Sequence, residues 1–322
     1  MREATFLQRN AQKWRDFEKL LNQPQTSPDQ LAHLFVEITD DLSYAQTNYP
    51  RSQTTYYLNY VATQAHLRIY KNKREKTNRF VEFWQYELPL LVRACHWQLG
   101  YSFCFFMVAI VIGVISTSYD DTYVRLIMGD EYVNMTLQNI RKGDPMAVYK
   151  SANQMEMFLL DITLRNIRVS FNAFASGLFF SVGTIYILVY NGIMLGAFQY
   201  FFYQHGLLWT SFLTIWIHGT IEISAIVIAG SAGLVMGNSI LFPQTYSRLE
   251  SFKRGAIKGM KIILGIVPLF IIAGFLESFI TRLTEWPDIF KLFIIGSSAL
   301  FIIYYFVIYP IQLEKVIKSG KR

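Results

Sequence analysis

The sequence predicts an all-α protein. It reads as a polytopic membrane helix bundle of about six membrane segments, one of them either spanning or re-entrant, preceded by a cytosolic helical region and an interfacial elbow helix. Three observations predict it. Of 322 residues, 52% are hydrophobic and only 16% charged, and nearly all the long apolar runs fall after residue 98, which concentrates apolar content where spans need it. The earlier residues have ordinary charge density, with apolar positions at helical spacing. Residues 215–237 place His218 and Glu222 one turn apart inside a stretch apolar enough for the centre of a bilayer, where an ionisable pair demands a reason.

Residues 1–78 are the predicted cytosolic region. Phe6, Leu7, Trp14, Phe17, Leu20 and Leu21 recur at helical spacing over residues 4–21, and Pro24 with Pro28 closes the segment. A second helix is expected over 29–47, capped by Ser27, and a third over 53–71. The third ends in the basic cluster Arg68, Lys71, Lys73, Arg74, Lys76 and Arg79, which suits a solvated helix end or anionic headgroups. Residues 79–98 mix Phe80, Phe83, Leu88 and Leu91 with Glu82 and Glu87, and join the next apolar run without a polar linker. They are expected to lie in the membrane interface as an amphipathic helix bent at Pro89, with Trp84, Arg93 and Trp97 at headgroup level. Met1 to Gln23 is charged and lacks an apolar core, so no cleavable signal peptide is expected.

Residues 99–322 are the predicted transmembrane domain. Spans are expected over 99–118, 166–190, 207–237, 262–280 and 289–311, with 192–203 as the short spanning or re-entrant segment. Residues 119–165 are polar and nearly charge-balanced, an extramembrane helical connection broken around Gly143 and Pro145. Asn191-Gly192 reads as a tight turn and Pro268 as a kink. Six crossings put the amino-terminal region, the basic run Arg248, Lys253, Arg254, Lys258 and Lys261, and the tail with Lys315, Lys318, Lys321 and Arg322 on one side. The positive-inside rule makes that side the cytoplasm, so both termini are expected there. The net charge of +7 fits such juxtamembrane residues. No basic patch interleaved with base-stacking aromatics points to nucleic acid.

On a helix advancing about 100° per residue, His218, Glu222, Ala229 and Gly233 fall within roughly ±40° of one another, so the ionisable pair continues into small side chains. Gly177, Gly192, Gly196 and Gly237 are further small residues suited to close backbone approach. Glu277 lies toward the outer end of its span at a depth near His218, and Asn166 and Ser170 sit on a polar, small-residue face of theirs. The cluster His218, Glu222, Glu277, Asn166 and Ser170 admits three readings: hydrogen-bonding glue between helices, a proton or ion relay in a transporter or channel, or an intramembrane hydrolase or metal site. There is no His-Glu-x-x-His, no Gly-x-Ser-x-Gly, no nucleotide-binding loop and no evident set of three converging ligands. No catalytic residue, metal or cofactor is therefore expected. Cys95 and Cys104 straddle the entry to the first span without metal-site spacing and support no disulfide.

Several blocks, in order, carry a family resemblance: the Phe80-to-Arg93 elbow with Pro89, Asn166-Ile-Arg-Val-Ser170-Phe, Asn191-Gly-Ile-Met-Leu-Gly196-Ala, His218-Gly-Thr-Ile-Glu222, Ser247-Arg248, and Leu276-Glu277-Ser-Phe-Ile-Thr281. Together they resemble the stage II sporulation protein M family of bacterial integral membrane proteins, with His-Gly-x-x-Glu the most specific block. The resemblance implies an all-helical protein of the bacterial inner membrane with a cytosolic amino-terminal region. The sporulation member is understood as a scaffold that assembles peptidoglycan hydrolases. The longer amino-terminal region here looks like the wider branch found also in bacteria that do not sporulate. The leading expectation is a non-enzymatic scaffold, a homodimer in the lipid bilayer that gathers envelope or peptidoglycan-remodelling partners. A transporter or channel is the alternative, and an intramembrane enzyme the third.

Overall fold

The computed structural model describes residues 2–22, 28–69, 79–150 and 162–319, and every regular element among them is helical. The chain divides into two compact units, residues 1–78 and 79–322.

The first unit holds α1 (Glu3–Asn22), α2 (Pro28–Asn48) and α3 (Gln53–Ile69), within a few residues of the helices the periodicity predicts. Phe6, Trp14 and Phe17 of α1 pack with Ile38 and Ala45 of α2 and with Leu58, Val61, Ala62 and Ala65 of α3. The buried Trp14 indole keeps its polar edge satisfied by donating from Nε1 to Asp41 at 2.8 Å, and Lys13 pairs with the same carboxylate at 2.5 Å. The Ser52 hydroxyl accepts from the Thr55 amide at 3.2 Å, the bond expected of an N-cap. The predicted cap Ser27 and the basic residues Lys71, Lys73, Arg74 and Lys76 lie outside the described residues.

The second unit opens with an elbow: α4 (Arg79–Glu82), a π turn (Phe83–Glu87) and α5 (Leu88–Ala94). Pro89 has no N–H to continue the helical ladder, and the wider π turn before it absorbs the mismatch, with the Leu88 amide donating to Phe83. The carbonyls thereby freed are capped from elsewhere. The Tyr305 hydroxyl donates to Trp84 at 2.6 Å and the Tyr309 hydroxyl to Gln85 at 2.8 Å. Trp84 in turn donates to the Gly265 carbonyl at 3.1 Å, so its indole is held inside the unit. Pro89 is buried, Arg93 pairs with Glu314 at 2.6 Å, and Trp97 is exposed.

Among the described residues, five helices are long and apolar enough to cross a membrane: His96–Tyr119 (α6), Val182–Gln204, Leu208–Leu241, Arg248–Thr281 and Asp288–Lys318. Between the first two lie α7 (Tyr123–Met128), α8 (Asp130–Arg141) and α9 (Thr163–Ala175). The second and third long helices are α10 and α11. The fourth is α12 (Arg248–Phe275) continued by a π turn (Leu276–Thr281), and the last is α13 (Asp288–Ile303), a π turn (Tyr304–Ile308) and α14 (Tyr309–Lys318). The chain is a multi-pass membrane protein. In α11, 72% of the apolar window is buried, against 22% in α6 and 17% in the last helix. So α11 is the central post, and the outer faces of α6 and α13 present apolar residues such as Phe103, Val111, Phe293 and Leu300 to lipid.

The division predicted at Asn191-Gly192 falls elsewhere. Val182–Gln204 is one continuous helix, in which the Asn191 amide donates back to Ile187 at 2.8 Å. The chain instead breaks after residues 176–178, at Phe180 and Ser181, which take φ of 53° and 69°. Gly192 and Gly196 serve packing: a Cβ on Gly192 would meet Ala109 and the Phe106 carbonyl, and one on Gly196 the Ile110 carbonyl. Contacts that advance together from Phe106–Gly192 to Gly113–Ala197 mean that α6 and α10 run parallel. The segment joining them must therefore return across the bundle, and α9 follows the lower part of α11, with Ala173 and Gly177 both against Gly233. Residues 151–161 of that segment, with Glu156 and Asp161, lie outside the described residues. Pro268 sits inside α12 without ending it.

One end of the bundle gathers the elbow, the α11–α12 connection and α14, through Arg93–Glu314 and the Lys261–Glu87 ion pair. At the other end, Val124, Val133 and Met146 pack on Phe198, Phe201, Phe202 and Ile215, and Gln204 donates to Asp121 at 2.8 Å. The connection 119–150 is thus seated on the bundle by its apolar residues.

Two predictions follow from this packing. Gly196→Leu forces a side chain onto the α6 backbone and should cost about 3 kcal/mol or more, read as loss of the monodisperse species in detergent. Gly100→Ala, where nothing lies within 4 Å, should change stability by less than about 1 kcal/mol. In the first unit, burial and then the Glu18 carboxylate push the Tyr57 hydroxyl up to about 12, from 10.0. A raised folded value favours the protonated phenol below pH 10 and loses that contribution as pH climbs through 12. The denaturant midpoint of this unit, followed by circular dichroism, should fall across that window and fall less in Tyr57→Phe.

Candidate functional site

The polar centre forms where α11 meets the π turn after α12. His218 lies ten residues into α11, roughly 15 Å along the axis from its end, and is only 5% exposed. Its Nδ1 is hydrogen-bonded to the Thr281 hydroxyl at 2.9 Å, and its Nε2 stands 3.9 Å from Glu277 Oε2. Glu222, one turn further along α11, completes a group whose ligand atoms all lie within 4.8 Å of one another. Thr281 and Glu277 are four apart, and the π turn presents both to one imidazole. Such wide turns recur where a helix must aim side chains at a site.

The remaining neighbours come from α9 and from the 147–149 turn. Asn166 is the hydrogen-bonding neighbour of the Glu222 carboxyl, and the Arg165 guanidinium acts on the same group. The Tyr149 ring stands 6.2 Å from the His218 ring. Burial pushes the Tyr149 hydroxyl well above its ordinary 10.0, and the negative charge nearby adds to the shift, so the phenol stays a neutral hydrogen-bonding group. A cavity of about 190 Å³ opens beside the cluster, with Tyr149, Asn191, Met194, His218, Gly219 and Glu222 in its wall. That is room for several waters against several polar partners.

Toward the elbow end the cavity gives way to backbone contact. A Cβ on Gly230 would meet the Ser102 hydroxyl and Leu188, one on Gly233 Thr184 and the Ala173 carbonyl, and one on Gly237 Ser181 and the Gly177 carbonyl. Ser102 donates to the Val227 carbonyl at 2.6 Å and Thr184 to the Ala173 carbonyl at 2.7 Å, both buried. Only small side chains and backbone stand at Gly233 and Gly237, so the helices approach closely there.

His218, Glu222 and Glu277 meet, and Asn166 joins them. Ser170 does not enter the network: it is 1% exposed, and its hydroxyl, like that of Ser278, has no hydrogen-bond partner among the described residues. Ala229 is fully buried on α11, and Gly177, Gly192, Gly196, Gly233 and Gly237 all stand at backbone contacts. The expectation that no three ligands converge is corrected, because the third comes from a helix 55 positions later in the chain and no local spacing reveals it. Tyr149, Asn191, Arg165 and Thr281 were not singled out as site residues. Thr281 ends the Leu276-to-Thr281 block, and its β-branched hydroxyl four residues after Glu277 was the signal available.

Helices and site together define a polytopic helical membrane protein with a buried, ionisable centre on its middle helix. Residues 102–282 match the SpoIIM family, described as Stage II sporulation protein M, and the chain belongs to that family. The match contains every block of the resemblance except the elbow. Residues 4–71 match a second family, described as Domain of unknown function (DUF8413). No curated protein and no solved structure matches the chain.

Thr281→Val keeps the shape of the side chain and removes the partner of His218 Nδ1. It should destabilise the membrane unit by about 1–3 kcal/mol in detergent unfolding, and Thr281→Ser should restore most of that loss.

Proposed function

We propose that this SpoIIM-family protein handles a proton or small cation at His218, Glu222 and Glu277, which it takes up from one end of its helix bundle. The convergence of three ionisable side chains beside a cavity of about 190 Å³ carries the reading. Glue between helices requires neither the cavity nor the third ionisable group, whereas uptake of an ion requires both. The close helix contacts at Gly233 and Gly237 narrow the bundle toward the elbow end, which favours a transporter-like site over an open channel.

The membrane is the bacterial cytoplasmic membrane in this reading, with residues 1–78 cytosolic, 79–98 interfacial and 99–322 transmembrane. Arg79, Arg93, Lys253, Lys258, Lys261 and Lys315 gather toward the elbow end, so the positive-inside rule places that end and both termini in the cytoplasm. The cavity then faces outward. A single cysteine introduced at Asp130, in a background lacking Cys95 and Cys104, should react with an impermeant maleimide from outside the cell, and one at Lys253 should not; the reverse pattern would overturn the orientation.

Vesicles containing the protein should pass protons or a cation down an imposed gradient, and Glu222→Gln or His218→Ala should cut the flux about tenfold or more, or ~1.4 kcal/mol in barrier. Flux equal in empty and loaded vesicles, for protons and for mono- and divalent cations alike, would remove the reading.

A scaffolding role as a homodimer is the second reading. It is favoured by the separate α1–α3 unit, whose Val36, Tyr56, Tyr60 and Leu67 are all more than half exposed, an apolar surface suited to a protein partner. Envelope or peptidoglycan-remodelling proteins are the class expected. In-cell cross-linking from Tyr60 that captures no partner and no second copy would count against it.

A further inference from the structure

We propose that His218, Glu222 and Glu277 bind a first-row divalent transition metal, with Zn²⁺ as the ion that best fits the donor set. The inference rests on the ion-handling reading of these residues and narrows it from any small cation to one chemical class.

The donors are one imidazole nitrogen and two carboxylate oxygens, mutually within 4.8 Å. Two donors on one zinc, each bonded at about 2.1 Å, stand about 3.4 Å apart in a tetrahedral site. His218 Nε2 and Glu277 Oε2 are already 3.9 Å apart, so side-chain rotation without backbone movement brings them to bonding separation. The Thr281 hydroxyl at 2.9 Å occupies Nδ1. With the Nδ1 proton donated to that oxygen, the Nε2 lone pair faces the carboxylates, which is the outer-shell arrangement that orients a metal-binding histidine. Imidazole with only two carboxylates is a poor set for Mg²⁺ or Ca²⁺, which take six or more oxygens, and a good one for zinc and its first-row neighbours.

Charge and space point the same way. Two ionised carboxylates in the interior of a membrane bundle are stabilised by a compensating cation. A dication cancels both, whereas Arg165 is the only arginine or lysine acting on Glu222 among the described residues. Three protein ligands leave a fourth tetrahedral position. The cavity walled by His218 and Glu222 supplies a place for water or an exchanging ligand there, the pattern of a site that turns over its contents rather than of a closed structural site.

The test uses the full chain, purified in detergent without chelators. Elemental analysis should find close to one zinc per chain, and titration of the metal-stripped protein with Zn²⁺ should show one site that Mg²⁺ in large excess does not compete for. His218→Ala, and the isosteric variants Glu222→Gln and Glu277→Gln, should each weaken Zn²⁺ binding about 100-fold, and Thr281→Val about tenfold. Size-exclusion profiles identify any variant that fails to fold, and the two glutamine variants keep the volume of the site. Zinc binding that survives Glu222→Gln and Glu277→Gln in folded protein, or equal binding of Mg²⁺, would overturn the inference. Proton flux without metal binding would also overturn it and leave the ion-handling reading standing. Metal binding without any flux would uphold it and remove the transport reading.

Discussion

Everything in the membrane unit is arranged around one constraint: a histidine and two glutamates must be kept in a place that lipid cannot solvate. The solution is positional. α11, the most buried of the long helices, carries His218 and Glu222, and His218 is only 5% exposed. The other helices supply what water would otherwise supply. A π turn brings Glu277 and Thr281 to the imidazole, α9 brings Asn166 to Glu222, and the 147–149 turn brings Tyr149. The Thr281 bond satisfies an imidazole nitrogen that would cost several kcal/mol if left bare in hydrocarbon.

Holding such a centre requires helices that do not slide, and the glycines provide that. Among lipid tails there is no hydrophobic drive for helices to associate, so van der Waals contact and buried hydrogen bonds must hold them together. Gly113, Gly192 and Gly196 let α6 and α10 meet at the backbone, and Gly177, Gly233 and Gly237 do the same for the turn after α9 and the lower half of α11. Ser102 and Thr184 add buried bonds to the Val227 and Ala173 carbonyls, tying α6 to α11 and α10 to α9. The same small-residue strip sets how closely the helices pack along the lower half of α11.

Much of this was legible in the residues, and what was not has a physical cause. Helical periodicity located α1 to α3 and four of the five long spans, because burial on one face or all round is a local pattern, while the span expected over 166–190 is divided between α9 and α10. The His218–Glu222 pair was visible since its partners are one turn apart in one segment. Asn191-Gly192 misled because the same two residues that make a tight turn in water make a close helix contact in a bundle. Only the neighbouring α6, with its Ala109 and Phe106 carbonyl facing Gly192, decides between them. Glu277 was placed near the right depth, but its convergence on His218 depends on the π turn, and a change of hydrogen-bonding register leaves no periodic trace in the sequence. Ser170 faces the same way as Asn166 by helical spacing and yet stays outside the network, since a shared face sets direction but not reach.

The elbow shows how the family's core and this chain's remaining parts are joined physically. It lies before the family match, which begins at residue 102, yet it is fastened to the core through backbone groups that Pro89 and the π turn leave open. Tyr305 and Tyr309 cap the Trp84 and Gln85 carbonyls, Trp84 caps Gly265, and Arg93 meets Glu314. The final helix and α12 therefore hold the elbow by hydrogen bonds that any undistorted helix would have used internally. A proline-induced defect has become the attachment point, so movement of the elbow must break bonds to α12, the helix that continues into the π turn bearing Glu277 and Thr281. That single helix touches both the elbow, through Gly265, and the buried polar centre, through Glu277 and Thr281.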